Sequence, residues 1–238
     1  ASGTGGAPSC AKFTAEGKQQ SAAMLIVLDR SASMTTSNKW GTAQQAVVAA
    51  VDQDSFDSLS LGLITFPQSF TTPPNCLCQY ACGSACDSFC LSLFGQGVSC
   101  GVGGLPEVAI NSAGTSKSND SSGVRHDIYQ FLVNHQPLSN QDDGSPIYDA
   151  MVSGYSALKL QNVEKRMLVL ITDGGFSCTS VSSPTRPGYS DGACPDWEYP
   201  DTVNALISQQ RTDPTTPINT FIVGLPGSNS HGEMQGAF

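Results

Sequence analysis

Two apolar runs in this chain stop at an aspartate-bearing turn, and together they restrict the fold. Met24-Leu25-Ile26-Val27-Leu28 runs into Asp29-Arg30-Ser31-Ala32-Ser33, and Met167-Leu168-Val169-Leu170-Ile171 runs into Thr172-Asp173-Gly174. Each run is too short for a helix and has no polar alternation, which is the pattern of a strand covered on both faces. Strands of that kind belong to mostly parallel sheets flanked by helices. The residues just past their carboxyl ends form the edge where open α/β sheets bind ligands.

The rest of the chain supplies the remaining layers. Strands are expected over 23–28, 59–66, 107–110, 167–172 and 218–223. Helices are expected over 39–52, 123–134, 146–160 and 201–211. Trp40, Ala43, Val47 and Val51 fall at helical spacing, as do Val124, Ile128, Phe131 and Leu132. Pro146 suits the first turn of its helix, Pro67 stops the second strand, and Gly62 weakens it. The order β-α-β-insertion-β-α-α-β-α-β implies a Rossmann-like, doubly wound, mostly parallel sheet with right-handed crossovers. Residues 1–21 read as a Gly/Ser-type linker, and 22–238 as one domain with an insertion at about 68–104. Fourteen residues follow Gly224 without a helical stripe, so a part of the C-terminal layer is expected to be missing.

Composition narrows the setting. The net charge of −9, with only 11 Lys and Arg among 238 residues, excludes a nucleic-acid partner, which needs clustered basic side chains. Nine cysteines point to a disulfide framework and an extracytoplasmic location. No apolar stretch reaches the length of a membrane helix, although an upstream lipid anchor is compatible with the linker. Cys76, Cys78, Cys82, Cys86, Cys90 and Cys100 crowd the insertion, and disulfides are favoured there over zinc because the spacing lacks separated Cys pairs. Cys178 and Cys194 are candidates for a bridge across residues 174–195, leaving Cys10 to pair inside the insertion or beyond Phe238.

Asp29, Ser31 and Ser33 stand at alternate positions, so one carboxylate and two hydroxyls can converge on one point. Asp173, from a strand that could lie alongside, and Ser145, from the polar loop before Pro146, would extend the set. Oxygen-only ligands suit a hard divalent cation such as Mg²⁺. An aspartate after a strand is also a common helix cap, so the joint pattern carries the expectation.

The segments Leu28-Asp29-Arg30-Ser31-Ala32-Ser33-Met34, Gly144-Ser145-Pro146-Ile147-Tyr148-Asp149-Ala150 and Ile171-Thr172-Asp173-Gly174 resemble the von Willebrand factor A (integrin I-like) domains, of the bacterial cell-surface type. The resemblance covers roughly residues 22–224. It implies a metal-ion-dependent adhesion site whose first loop holds Asp29, Ser31 and Ser33, with Ser145 in the second and Asp173 in the third. It also implies Mg²⁺, with Mn²⁺ or Ca²⁺ as alternatives, and a partner protein whose carboxylate completes the shell. Two departures are visible: Ser145 stands where threonine is usual, and Ala32 where glycine is usual.

Other signals are discounted. Gly97-Val98-Ser99-Cys100-Gly101 and Gly188-Tyr189-Ser190-Asp191-Gly192 match a nucleophile-elbow string but lack the strand before and the helix after, so no enzyme activity is expected. His126, His135 and His231 read as isolated surface residues. Asn119-Asp120-Ser121 is a glycosylation sequon by pattern alone. The expected function is adhesion or protein binding outside the cytoplasm or at a cell surface. The alternative is a structural or regulatory module in which the metal mainly fixes the loops.

Overall fold

The computed structural model describes residues 20–68, 102–138, 145–174 and 200–226. Five strands, β1 (Ala22–Asp29), β2 (Leu59–Phe66), β3 (Val108–Ser112), β4 (Lys165–Thr172) and β5 (Asn219–Gly224), form one sheet in the order β3-β2-β1-β4-β5. Four helices accompany them: α1 (Lys39–Val51), α2 (Val124–Asn134), α3 (Ile147–Lys159) and α4 (Pro200–Arg211). Strands β2, β1, β4 and β5 are mutually parallel, and only β3 runs the other way. The sheet class and element order are those expected from the sequence.

The apolar run of β1 divides its side chains between two cores because successive residues point to opposite faces. Leu25 and Val27 pack with Ile147, Ala150, Met151, Tyr155 and Leu158 of α3 and with Val203 and Leu206 of α4. Met24, Ile26 and Leu28 pack with Trp40, Ala43, Val47 and Val51 of α1 and with Val124, Ile128 and Leu132 of α2. A fully buried side chain of this size contributes about 1.5–3 kcal/mol. Both faces of the central strand are therefore closed, and its carboxyl end is the part left for a ligand.

Register fixes what stands at that end. Asp29 lies opposite Phe66 of β2, Leu28 lies opposite Ile171 of β4, and Thr172 lies opposite Gly224 of β5. Thr172 thus comes next to Asp29. Strand β3 is antiparallel, with Val108 across from Leu63 and Ser112 across from Ser60. The chain therefore leaves β2 and enters β3 on the same side as Asp29.

Differences from expectation are local. The short edge strand begins at Val108 rather than at 107. Glu107 instead turns its carboxylate back onto β2, accepting from the Thr65 backbone N–H at 3.0 Å, from Thr65 Oγ1 at 3.0 Å and from the Gln68 amide. Gly62 was expected as a weak point, and the structure gives it a use: a Cβ there would come within 2.7 Å of Ile110 Cγ1 and 3.0 Å of the Val108 carbonyl oxygen. His135 is stacked on Phe131, with ring centroids 4.0 Å apart. Residues 69–101 of the insertion, Ser139 to Gly144 and all nine cysteines lie outside the described residues.

Candidate functional site: an oxygen cluster at the carboxyl edge

Where β1 ends, the backbone folds tightly on itself. Ser31 N–H donates to Asp29 Oδ1 at 2.8 Å, the local turn that aspartate favours at a chain reversal. Met34 N–H donates to the Ser31 carbonyl at 3.1 Å, starting a 3₁₀ segment over Ala32–Asn38. Met34 is fully buried and anchors that segment to the α1 side of the sheet. Arg30 N–H donates to the Phe66 carbonyl at 2.6 Å, and Leu138 N–H donates to the Arg30 carbonyl at 3.0 Å. The turn brings the Ser31 and Ser33 hydroxyl oxygens to 3.0 Å from each other.

The end of β4 completes the cluster. Thr172 Oγ1 donates to Asp29 Oδ2 at 2.6 Å and accepts from Gly174 N–H at 3.0 Å. Gly174 has φ of 92°, a backbone region that favours glycine and explains the Thr-Asp-Gly string. Ser33 Oγ donates to Asp173 Oδ1 at 2.8 Å. The second Asp173 oxygen holds Lys39 Nζ at 2.6 Å. Residues 140 positions apart are thereby joined. Ser145 is buried two residues before α3. Strand β4 begins within a few residues of the end of α3, so the helix runs back from the carboxyl edge. Its N-terminal end, with Ser145, is therefore on the Asp29 side.

Asp29 and Asp173 are almost wholly shielded from solvent, at 0 and 2% exposure. Burial pushes the Asp29 carboxyl up to about 6, and the charge of Asp173 adds to the rise. Hydrogen bonds from Ser31 and Thr172 oppose it by favouring the charged form.

The donor set suits a hard cation. Oxygens about 2.0–2.1 Å from an octahedral Mg²⁺ stand about 2.9 Å from their neighbours in the shell. Ser31 Oγ to Ser33 Oγ is 3.0 Å and Ser33 Oγ to Asp173 Oδ1 is 2.8 Å. Hydrogen bonding and octahedral coordination ask for the same spacing, so these two distances are compatible with a shared cation. Among the described residues no group of three or more His, Cys, Asp or Glu is placed to hold a metal. A cation here would rest on hydroxyls as much as on carboxylates.

Sequence reasoning placed Asp29, Ser31, Ser33 and Asp173 in one site, and the structure brings these four together. It missed Thr172 and Lys39. Thr172 read as the last residue of a strand, although its register beside Asp29 made a hydroxyl–carboxylate bond available. Lys39 read as the start of a helix. A lysine in the first helical turn opposes the helix dipole, and that mismatch was the available signal.

No family model and no curated protein matches the chain. Similar solved structures include the conserved hypothetical protein BatB from Bacteroides thetaiotaomicron, 15% identical, covering 85% of this chain and 66% of that one, with a TM-score of 0.46. Another is the adhesive tip pilin GBS104 from Group B Streptococcus agalactiae, 15% identical over 82% of this chain and 54% of that one, TM-score 0.46. A third is the vWF domain of the type V pili tip protein Mfa5 from Porphyromonas gingivalis, 10% identical over 84% and 56%, TM-score 0.41. The chain spans less than two thirds of the length of each. Its own sheet order and the position of the aspartate turns are those that the resemblance seen in the sequence implies, an open, mostly parallel sheet between two layers of helices.

Proposed function

We propose that this is a non-enzymatic protein-binding domain, acting in adhesion outside the cytoplasm or at a cell surface, and that it binds through a divalent cation. Asp29, Ser31, Ser33, Ser145 and Asp173 would hold the ion, Mg²⁺ first and Mn²⁺ or Ca²⁺ as alternatives. When bound, the ion supplies a Lewis-acidic position to which an acidic group of a partner protein can attach. The observation that carries this reading is the hydroxyl–hydroxyl–carboxylate row Ser31, Ser33, Asp173, spaced at 3.0 and 2.8 Å.

The chain's own groups set the character of such a site. Two carboxylates bring two negative charges, which balance a divalent cation before the nearby Lys39 is counted. The serine hydroxyls add oxygen ligands and no charge, so an outer position keeps its attraction for an anion. Thr172 and the Ser31 N–H hold Asp29 in one orientation, as the outer hydrogen bonds of metal ligands do.

The alternative of a metal that merely fixes the loops is less well supported. Ser33 to Asp173 and Thr172 to Asp29 already tie the loops through side-chain hydrogen bonds. The discriminating experiment is calorimetric titration with Mg²⁺ and Mn²⁺, with Asp173→Ala alongside, followed by binding to cells or matrix with and without EDTA. Saturable heats lost in Asp173→Ala, and binding lost in EDTA, are expected. Equal heats from the two proteins would remove the site.

A further inference from the structure

We propose that Lys39 is a tethered counter-cation for Asp173. It holds the carboxylate in the metal-free protein, competes with a divalent ion for it, and so weakens metal binding. The inference rests on the metal site proposed above and concerns how that site is regulated.

The contact itself is close and sheltered. Lys39 Nζ lies 2.6 Å from Asp173 Oδ2, with the lysine side chain 14% exposed. The other Asp173 oxygen is taken by the Ser33 hydroxyl. Both oxygens of this carboxylate therefore have a hydrogen-bonded partner on the first-loop side. A cation that binds Ser33 and Asp173 must compete for the atom Lys39 occupies, or accept a unit positive charge a few ångström away.

The position of Lys39 in its helix is a second, independent observation. It is the first residue of α1, and the first turn of α1 contains no acidic residue. Helix N-termini carry partial positive charge and disfavour lysine. The two residues that deliver it, Ser37 and Asn38, have φ of 52° and 56°. Non-glycine residues in the left-handed region carry a conformational cost, which surrounding structure has to offset. Helix electrostatics and backbone preference both disfavour this placement, and the ion pair with Asp173 offsets part of that cost.

Charge counting gives the consequence. Asp29, Asp173 and Lys39 together carry one net negative charge when both carboxylates are ionised. Adding a divalent ion turns that into one net positive charge, whereas the same site without Lys39 would become neutral. Lys39 therefore lowers affinity for the ion. It also leaves the loaded site more attractive to an acidic partner.

The test is Lys39→Met, which keeps the aliphatic stem and removes the charge, with Lys39→Gln as a second neutral variant and Lys39→Arg as a charge-retaining control. Mg²⁺ and Mn²⁺ affinities are measured by calorimetry, and melting temperatures are read in EDTA and in excess Mg²⁺. The neutral variants are expected to bind metal about ten- to thirtyfold more tightly, the size of a unit charge about 4–6 Å from a divalent ion in a water-like dielectric. They are also expected to melt lower in EDTA and to gain more from Mg²⁺ than the wild type, while Lys39→Arg stays close to wild type. Folded neutral variants with wild-type or weaker affinity would overturn it and leave the metal site standing. No heat from any of the proteins would overturn both.

Discussion

At the scale of the residue, Asp29 sets the chemistry. Its folded value near 6 lies above the 3.8 of an exposed aspartate. The stability this group contributes is therefore complete below about pH 4 and is lost as the pH rises to about 6. At pH 7 the metal-free protein carries a buried charge at a cost. Asp29→Asn should raise the melting temperature in EDTA, by on the order of 2 kcal/mol in stability at pH 7, and should abolish any shift on adding Mg²⁺. Because a proton and a metal compete for the same carboxylate, wild-type Mg²⁺ affinity should fall between pH 7 and pH 5; calorimetry at the two values checks it. Asp29, Ser31, Ser33 and Asp173 were legible because a strand end and alternate spacing bring oxygens together without knowledge of the fold. Thr172 and Lys39 were not, because their roles depend on register between strands and on the direction in which a helix begins.

At the scale of the element, the apolar stripes of α1 and α2 announced themselves, since a period near 3.6 places Trp40, Ala43, Val47 and Val51 on one buried face. Edges were harder to read. Glu107 is an ordinary residue by propensity, and only the observed bond to the Thr65 amide takes it out of β3. Gly62→Ala should destabilise by about 1–3 kcal/mol in urea unfolding, because its Cβ would crowd the β3 backbone and Ile110. The loop before α2 has a comparable anchor. Arg125 is fully buried and donates to the carbonyls of Gly114, Ser116 and Gln53 and to Asp57. Arg125→Met should cost about 1–3 kcal/mol, because the carbonyls of Gly114, Ser116 and Gln53 lose their donor. Metal heats in the surviving folded fraction should be unchanged, since this anchor makes no contact with the oxygen cluster.

At the scale of the whole molecule, two sets of carboxylates pull the pH profile in opposite directions. Asp57 is held below the usual carboxylate range chiefly by its hydrogen bond from Arg125. Asp213 is held well below that range chiefly by the Thr216 backbone N–H, with help from Lys159. Depressed groups of this kind stabilise above about pH 4, and that stabilisation is lost as the pH falls further. Thermal melts in EDTA should therefore improve from pH 7 to pH 5 and collapse below pH 4. Saturating Mg²⁺ should remove the gain on going to pH 5. At a hundredfold excess over the dissociation constant, a ligand bound only by the folded state adds about 2.7 kcal/mol. For a chain of this size that corresponds to a rise in melting temperature of roughly 5–11 °C.

The antiparallel direction of β3 has a consequence for how such a domain can diversify. Phe66 closes β2 opposite Asp29, and Val108 opens β3 opposite Leu63. Both anchor points consequently stand on the flank that carries the acidic turn. Any sequence spliced between them starts and finishes beside the acidic turn, while the hydrogen-bonded scaffold beneath keeps its register. On the function proposed above, recognition would be rewritten there by exchanging one cassette, with the cation chemistry left as it is.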